Sequence, residues 1–124
     1  MVVSKKDKKI VCTNFCNGKK HDFKLLKDSK VKCNKKIKVI VDSGYQGLQA
    51  THENTTLPRK KKKKQQLGKE EKLYNKRLAS DRVLNENVIG MIKRFKTIAD
   101  KYRNRRKRFG LRFNLIAGIY NMEL

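Results

Sequence analysis

Tryptophan is absent from this 124-residue chain, proline occurs once, cysteine three times, and 11 acidic residues stand against 34 lysines and arginines. Each shortage excludes something. No apolar run approaches the roughly 20 residues of a membrane span, and none near the N-terminus resembles a signal peptide, so no membrane association and a cytoplasmic location are expected. Three cysteines are too few and of the wrong parity for a disulfide framework, which fits a reducing compartment. Cys12, Cys16, His21 and Cys33 could be drawn as four zinc ligands. They lack the close paired spacing of zinc ribbons, and Cys12 and Cys16 fall on an apparent strand, so small core-type thiols are expected instead. The lone proline, Pro58, leaves the second half free to form long helices.

What is abundant is positive charge. A formal charge of +23 exceeds what solubility requires, and a compact state bears that self-repulsion best beside a polyanion. Nucleic acid is the expected partner. The length allows one domain and a modest core.

Along the chain, Val2 and Val3, a polar turn over Lys5–Lys9, and Ile10 to Cys16 read as a β-hairpin. Asp22 is placed to cap a short helix through Ser29, with Phe23 and Leu26 on its apolar face. Ile37-Lys38-Val39-Ile40-Val41-Asp42 reads as a buried strand stopped by Ser43-Gly44-Tyr45-Gln46-Gly47. Asp42 then stands at a carboxyl strand end, where open α/β folds place their chemistry. A short helix at Gln46–Ala50 and a brief edge strand at Asn54–Pro58 follow. Lys60–Lys64 reads as a flexible basic loop, because packed like charges repel. From Lys69 to about Tyr102 one long helix or two in tandem are expected. Phe109–Tyr120 is apolar on nearly every face, and such a helix is expected to be buried.

In the long helical region Glu86 has Arg82 and Lys93 within about 40° of it on the helical wheel. The three residues either form a polar constellation in which Glu86 ligates a metal, or a solvated stripe with weak pairs. The spacing alone leaves both open: Leu84, Val88, Met91, Ile92, Phe95 and Ile98 cluster on the opposite side, while Val83, Ile89 and Gly90 flank Glu86 so that its face is not wholly polar.

Four stretches together resemble the bacterial insertion-sequence transposases of the DDE class, the DDE superfamily endonucleases. They are Gly18–Leu25, Asp42–Gly47, Glu86–Phe95, and Tyr102–Arg106 with Arg112–Ile116. The resemblance implies a partial RNase H-like α/β fold, a mixed sheet with flanking helices whose first central strand is missing, and a helical C-terminal half. Residues 1–124 would be a truncated catalytic domain: 1–58 strand-rich with Asp42, 59–68 a basic loop, 69–124 helical with Glu86. Asp42 matches the family's second catalytic Asp and Glu86 its Glu, both holding Mg²⁺ or Mn²⁺ in a two-metal site that this chain leaves incomplete. Arg82 and Lys93 match the basic residues of the signature around that Glu, while its tyrosine falls at Ala79. DNA contacts are expected from Arg82, Lys93, Lys60, Lys61, Lys62, Arg103, Arg105 and Arg106.

The first acid of the family has no counterpart, since Asp7 sits in the hairpin turn and Asp22 fits a helix cap. The resemblance therefore implies DNA as substrate, a nucleoid-associated protein, a homo-oligomer on DNA, and a separate upstream polypeptide supplying the absent strand. Without it the chain is expected to be marginally stable and inactive. The rival expectation is a non-enzymatic basic nucleic-acid-binding protein, for which Lys60–Lys64 and Arg103–Arg108 suffice.

Overall fold

The computed structural model of the chain describes residues 1–16, 18–101 and 106–124, and of Arg106 the backbone alone. The elements are α and β mixed: β1 (Val2–Val3), β2 (Ile10–Cys12), α1 (Asp22–Asp28), β3 (Val39–Ile40), β4 (Thr55–Thr56), α2 (Lys69–Ile92), α3 (Lys96–Ala99) and α4 (Phe109–Glu123). Short 3₁₀ turns occupy Ser43–Tyr45, Leu48–Ala50 and Arg106–Arg108. No helix of the described residues is long and apolar enough to cross a membrane. The chain divides into one unit of Met1–Phe15 with Val83–Leu124 and another of Cys16–Arg82, the boundary falling inside α2.

In the first unit β1 and β2 pair antiparallel. The turn between them closes with Ser4 N–H donating to Lys9 O and Lys8 N–H to Ser4 O, both at 2.9 Å. Lys8 takes a positive φ of 58° there. Ile10, Val88, Ile92, Ile116, Ala117 and Tyr120 form the apolar cluster, with Met1, Val3, Phe95, Ile98 and Phe113 packed against it. α4 fastens to the hairpin by polar bonds as well. The Asn121 side-chain amide accepts from Ile10 N–H at 2.8 Å and donates to Ile10 O at 2.9 Å, and Tyr120 OH donates to Lys8 O at 3.3 Å. Phe15 meets Phe109 edge-on at 4.8 Å between ring centroids.

α4 departs from the expectation of all-round burial. Ile116, Ala117 and Tyr120 are buried, whereas Leu111, Leu115 and Met122 are 72%, 64% and 87% exposed. At 3.6 residues per turn the docked stripe takes only one side of the helix. Of the two arrangements expected for the long helical stretch, the structure has two helices in tandem, α2 ending at Ile92 and Phe95, in an extended conformation, opening the single turn of α3.

In the second unit β3 and β4 pair parallel, Val39 opposite Thr55 and Ile40 opposite Thr56. Val39 N–H donates to Asn54 O at 2.9 Å and Val41 N–H to Thr56 O at 3.1 Å, so the pairing outlasts the strand proper by one residue. The expected strand from Ile37 is shorter because Ile37 is 56% exposed and has no partner strand residue. Buried residues here are few: Leu57, Leu78, His52 and Thr55. Nε2 of His52 donates to Asn34 O at 3.1 Å, and Thr55 Oγ1 donates to His52 O at 2.6 Å.

The cap of α1 is a correction to the reading of Asp22. His21 holds the N-cap position and its Nδ1 accepts from Phe23 N–H at 3.4 Å, leaving Asp22 as the first helical residue. An acid there still complements the helix N-terminus. The cysteines are free and half-buried, and among the described residues no group of three or more His, Cys, Asp or Glu side chains gathers as a metal site.

Candidate active site and basic loop

Asp42 follows β3 by two residues and caps the turn at Ser43–Tyr45. The turn forms because Asp42 Oδ1 accepts from Ser43 N–H and Asp42 O from Tyr45 N–H at 3.0 Å, which a short carboxylate side chain does well. Gly47, with φ 94°, opens the Leu48–Ala50 turn in the left-handed conformation that favours glycine, and a Cβ on it would touch the Phe23 ring at 3.4 Å. Oδ2 of Asp42 receives Arg82 Nη2 at 3.2 Å. The Asp42 side chain is 53% exposed and that of Arg82 29%, so the carboxylate is held and still reachable from solvent.

Tyr45 adds a feature that sequence reading overlooked. Burial pushes its phenol above the usual value of 10.0, and the negative charges of Asp22 and Asp42 push it further. Asp22 lies close to the same turn, its Oδ2 3.9 Å from where a Gly44 Cβ would sit. Two carboxylates, Asp22 and Asp42, thus lie around one neutral phenol, with Arg82 as the countercharge of Asp42.

Glu86 and Lys93 belong to the other unit and are both exposed. On α2, Val88 and Ile92, each 2% exposed, mark the buried stripe from which Glu86 points away. Asp42 and Arg82 are thus brought together within one unit, and Glu86 with Lys93 stands in the second. Lys60, Lys61 and Lys62 are exposed, while Arg103 and Arg105, with the side chain of Arg106, lie outside the described residues.

The basic segment is anchored at both ends on the start of α2. The side-chain amide of Asn75 accepts from Arg59 N–H at 2.8 Å and donates to Arg59 O at 3.0 Å. Tyr74 OH donates to Leu57 O at 3.3 Å and its ring lies 5.4 Å from the Arg59 guanidinium. Glu71 accepts from Gly68 N–H through Oε2 at 3.2 Å and faces Arg59 Nη1 through Oε1 at 3.6 Å. Glu71 stands at the third position of α2, where a Glu reaching back to the N–H before the helix is a legible helix-start signal, whereas its contact with Arg59 and those of Asn75, 12 and 16 residues upstream, need the fold.

Residues 1–121 match the family described as DDE superfamily endonuclease. A probable transposase for insertion sequence element IS702 of Microchaete diplosiphon is 46% identical over 124 residues, covering 100% of this chain and 45% of its own length. The chain thus spans a little under half the length of that curated relative. No solved structure matches. With the match running through the hairpin, the Asp42 turn and all of α2, the chain belongs to the DDE superfamily endonuclease family.

Proposed function

We propose that the chain forms part of a transposase that cleaves and joins DNA strands with divalent metal, and that Asp42 and Glu86 are two of its metal-holding carboxylates. The family acts on DNA and generally uses divalent metal ions. The observation that carries the proposal is the placement of Asp42: a half-exposed carboxylate fixed by Ser43 N–H and Arg82 at the end of a parallel strand, in a chain matched by this family throughout.

The donors fit Mg²⁺ or Mn²⁺, since both acids offer hard carboxylate oxygens and both are open to solvent. Divalent metal held by Asp42 and Glu86 would supply activation of the attacking oxygen and charge stabilisation at the leaving one. The chain's own residues do the rest. Ser43 N–H fixes the rotamer of Asp42, Arg82 neutralises it until a cation or a phosphate competes, and Lys60–Lys62 and Lys93 hold the DNA backbone. Arg103, Arg105 and Arg106 would extend those contacts.

The finer reading is of an RNase H-like domain to which this chain contributes 1–58, 59–68 and 69–124 as one catalytic piece. A third acid and the central strand would be supplied from outside these 124 residues. Assembly on DNA as a homo-oligomer belongs to the same reading. The alternative, a basic nucleic-acid-binding protein without catalysis, rests on the charge of +23 alone. Mn²⁺ binding followed by electron paramagnetic resonance separates them. Asp42→Ala and Glu86→Ala should each weaken Mn²⁺ uptake while leaving DNA affinity equal or slightly higher. Unchanged Mn²⁺ uptake in both variants would leave the basic-binder reading.

A further inference from the structure

The segment between Arg59 and Gly68 carries five consecutive lysines, Lys60 to Lys64, all exposed, and its two mouths meet on one side chain. Glu71 accepts from Gly68 N–H with one oxygen and faces the Arg59 guanidinium with the other. Asn75, one turn further along α2, occupies both backbone groups of Arg59. At the tip, Gln65 N–H donates to Lys62 O at 3.2 Å, closing a turn among the lysines. The basic run is a closed Ω-type loop whose ends are tied to a helix.

We infer that Glu71 and Asn75 are positioning residues for a lysine loop that grips the phosphate backbone of double-stranded DNA. The inference rests on the DNA reading of the preceding section and goes beyond it by naming the clamp and the form of nucleic acid. Lysines concentrated in a closed loop repel one another, and tying the ends holds them together at a cost met before DNA arrives, so less ordering is left for the binding step. Lysine contacts phosphate as a point charge, which suits positioning on the backbone. The segment 59–68 holds no aromatic ring, and binding of single strands relies on bases stacking on aromatics, so the duplex is the form this loop fits.

The test exploits the sign of a charge. Removing Glu71 raises the net positive charge by one, and electrostatics alone would tighten DNA binding. The clamp requires the reverse. Fluorescence anisotropy with the full chain, a short mixed-sequence duplex and the matching single strand should show Glu71→Ala binding the duplex about three- to tenfold more weakly. Its salt dependence between about 50 and 200 mM should become shallower by about one phosphate contact. Asn75→Ala should move the same way, and Glu71→Gln, which keeps an acceptor for Gly68 N–H, should fall between.

Duplex binding by Glu71→Ala as tight as that of the parent chain, or tighter, would overturn the clamp, as would preference for the single strand. Should Glu71→Ala lose helix by far-ultraviolet circular dichroism, Asn75→Ala decides by the same criterion, since alanine favours the helix. The DNA reading of the loop fails separately: Lys61→Ala with Lys63→Ala would then leave duplex affinity unchanged.

Discussion

The unit of Met1–Phe15 and Val83–Leu124 is organised around hydrocarbon, whereas the unit of Cys16–Arg82 is organised around hydrogen bonds. The first gathers Ile10, Val88, Ile92, Ile116, Ala117 and Tyr120 in one cluster. The second buries His52 and Thr55 alongside Leu57 and Leu78, and ties its segments through His52, Thr55, Asn54 and Asn75. Apolar contacts tolerate small displacements and fail when volume is lost; polar contacts hold a group at a defined place and fail when one partner is lost. Asp42, Arg82 and the lysine loop all lie in the polar unit, where holding a charge at a defined place matters more than filling space.

The contrast breaks first at Ile92, which is 2% exposed in the apolar cluster. Ile92→Ala should destabilise the chain by about 2–4 kcal/mol through lost burial and the cavity left behind, read from urea unfolding followed by circular dichroism. A loss well under about 1 kcal/mol would mean that the cluster does not hold that unit. The polar unit should instead respond to a change that keeps volume. His52→Leu retains apolar bulk but removes the Nε2 donor to Asn34 O, which keeps only Ile37 N–H, and a cost of about 0.5–1.5 kcal/mol, that of one hydrogen bond, is expected in the same experiment. Equal or greater stability of His52→Leu would show that hydrogen bonds do not organise the unit.

The smallest effect, near zero at neutral pH, belongs to Tyr45→Phe. Because burial and the neighbouring acids raise the Tyr45 phenol, the folded chain holds that proton more firmly than the unfolded one. Its contribution is complete below the ordinary value of 10.0 and is lost as pH rises through the higher folded value. Stability should therefore fall in alkali, and Tyr45→Phe should flatten that fall; an identical alkaline profile in both proteins would remove Tyr45 from the charge balance at the Asp42 turn.

Much of this layout is legible in the chain itself, and the misses have local causes. The hairpin, the Asp42 turn, the start of α2 at Lys69 and the helix after Arg108 follow from periodicity and turn residues. The end of α2 does not. Its one glycine, Gly90, lies inside the helix, and the break comes at Phe95, where no breaker residue stands and where Ile92, Phe95 and Ile98 all reach the apolar cluster. Tertiary packing overrides propensity there. His21 displaces Asp22 as the cap because an imidazole Nδ1 accepts as a carboxylate does, a substitution the usual cap preferences underweight. At the candidate site, Asp42 announces itself by following a strand, while Arg82 as its countercharge needs the fold, since the pair is 40 residues apart in sequence.

Asn121 ends the edge of the hairpin. A strand residue directs its N–H and C=O to the same side, and both of those of Ile10 are taken by one side-chain amide. An amide offers the donor and acceptor that another strand would offer, yet it carries no chain onward. The β2 edge is consequently terminated at Ile10, and a strand recruited there would have to displace Asn121.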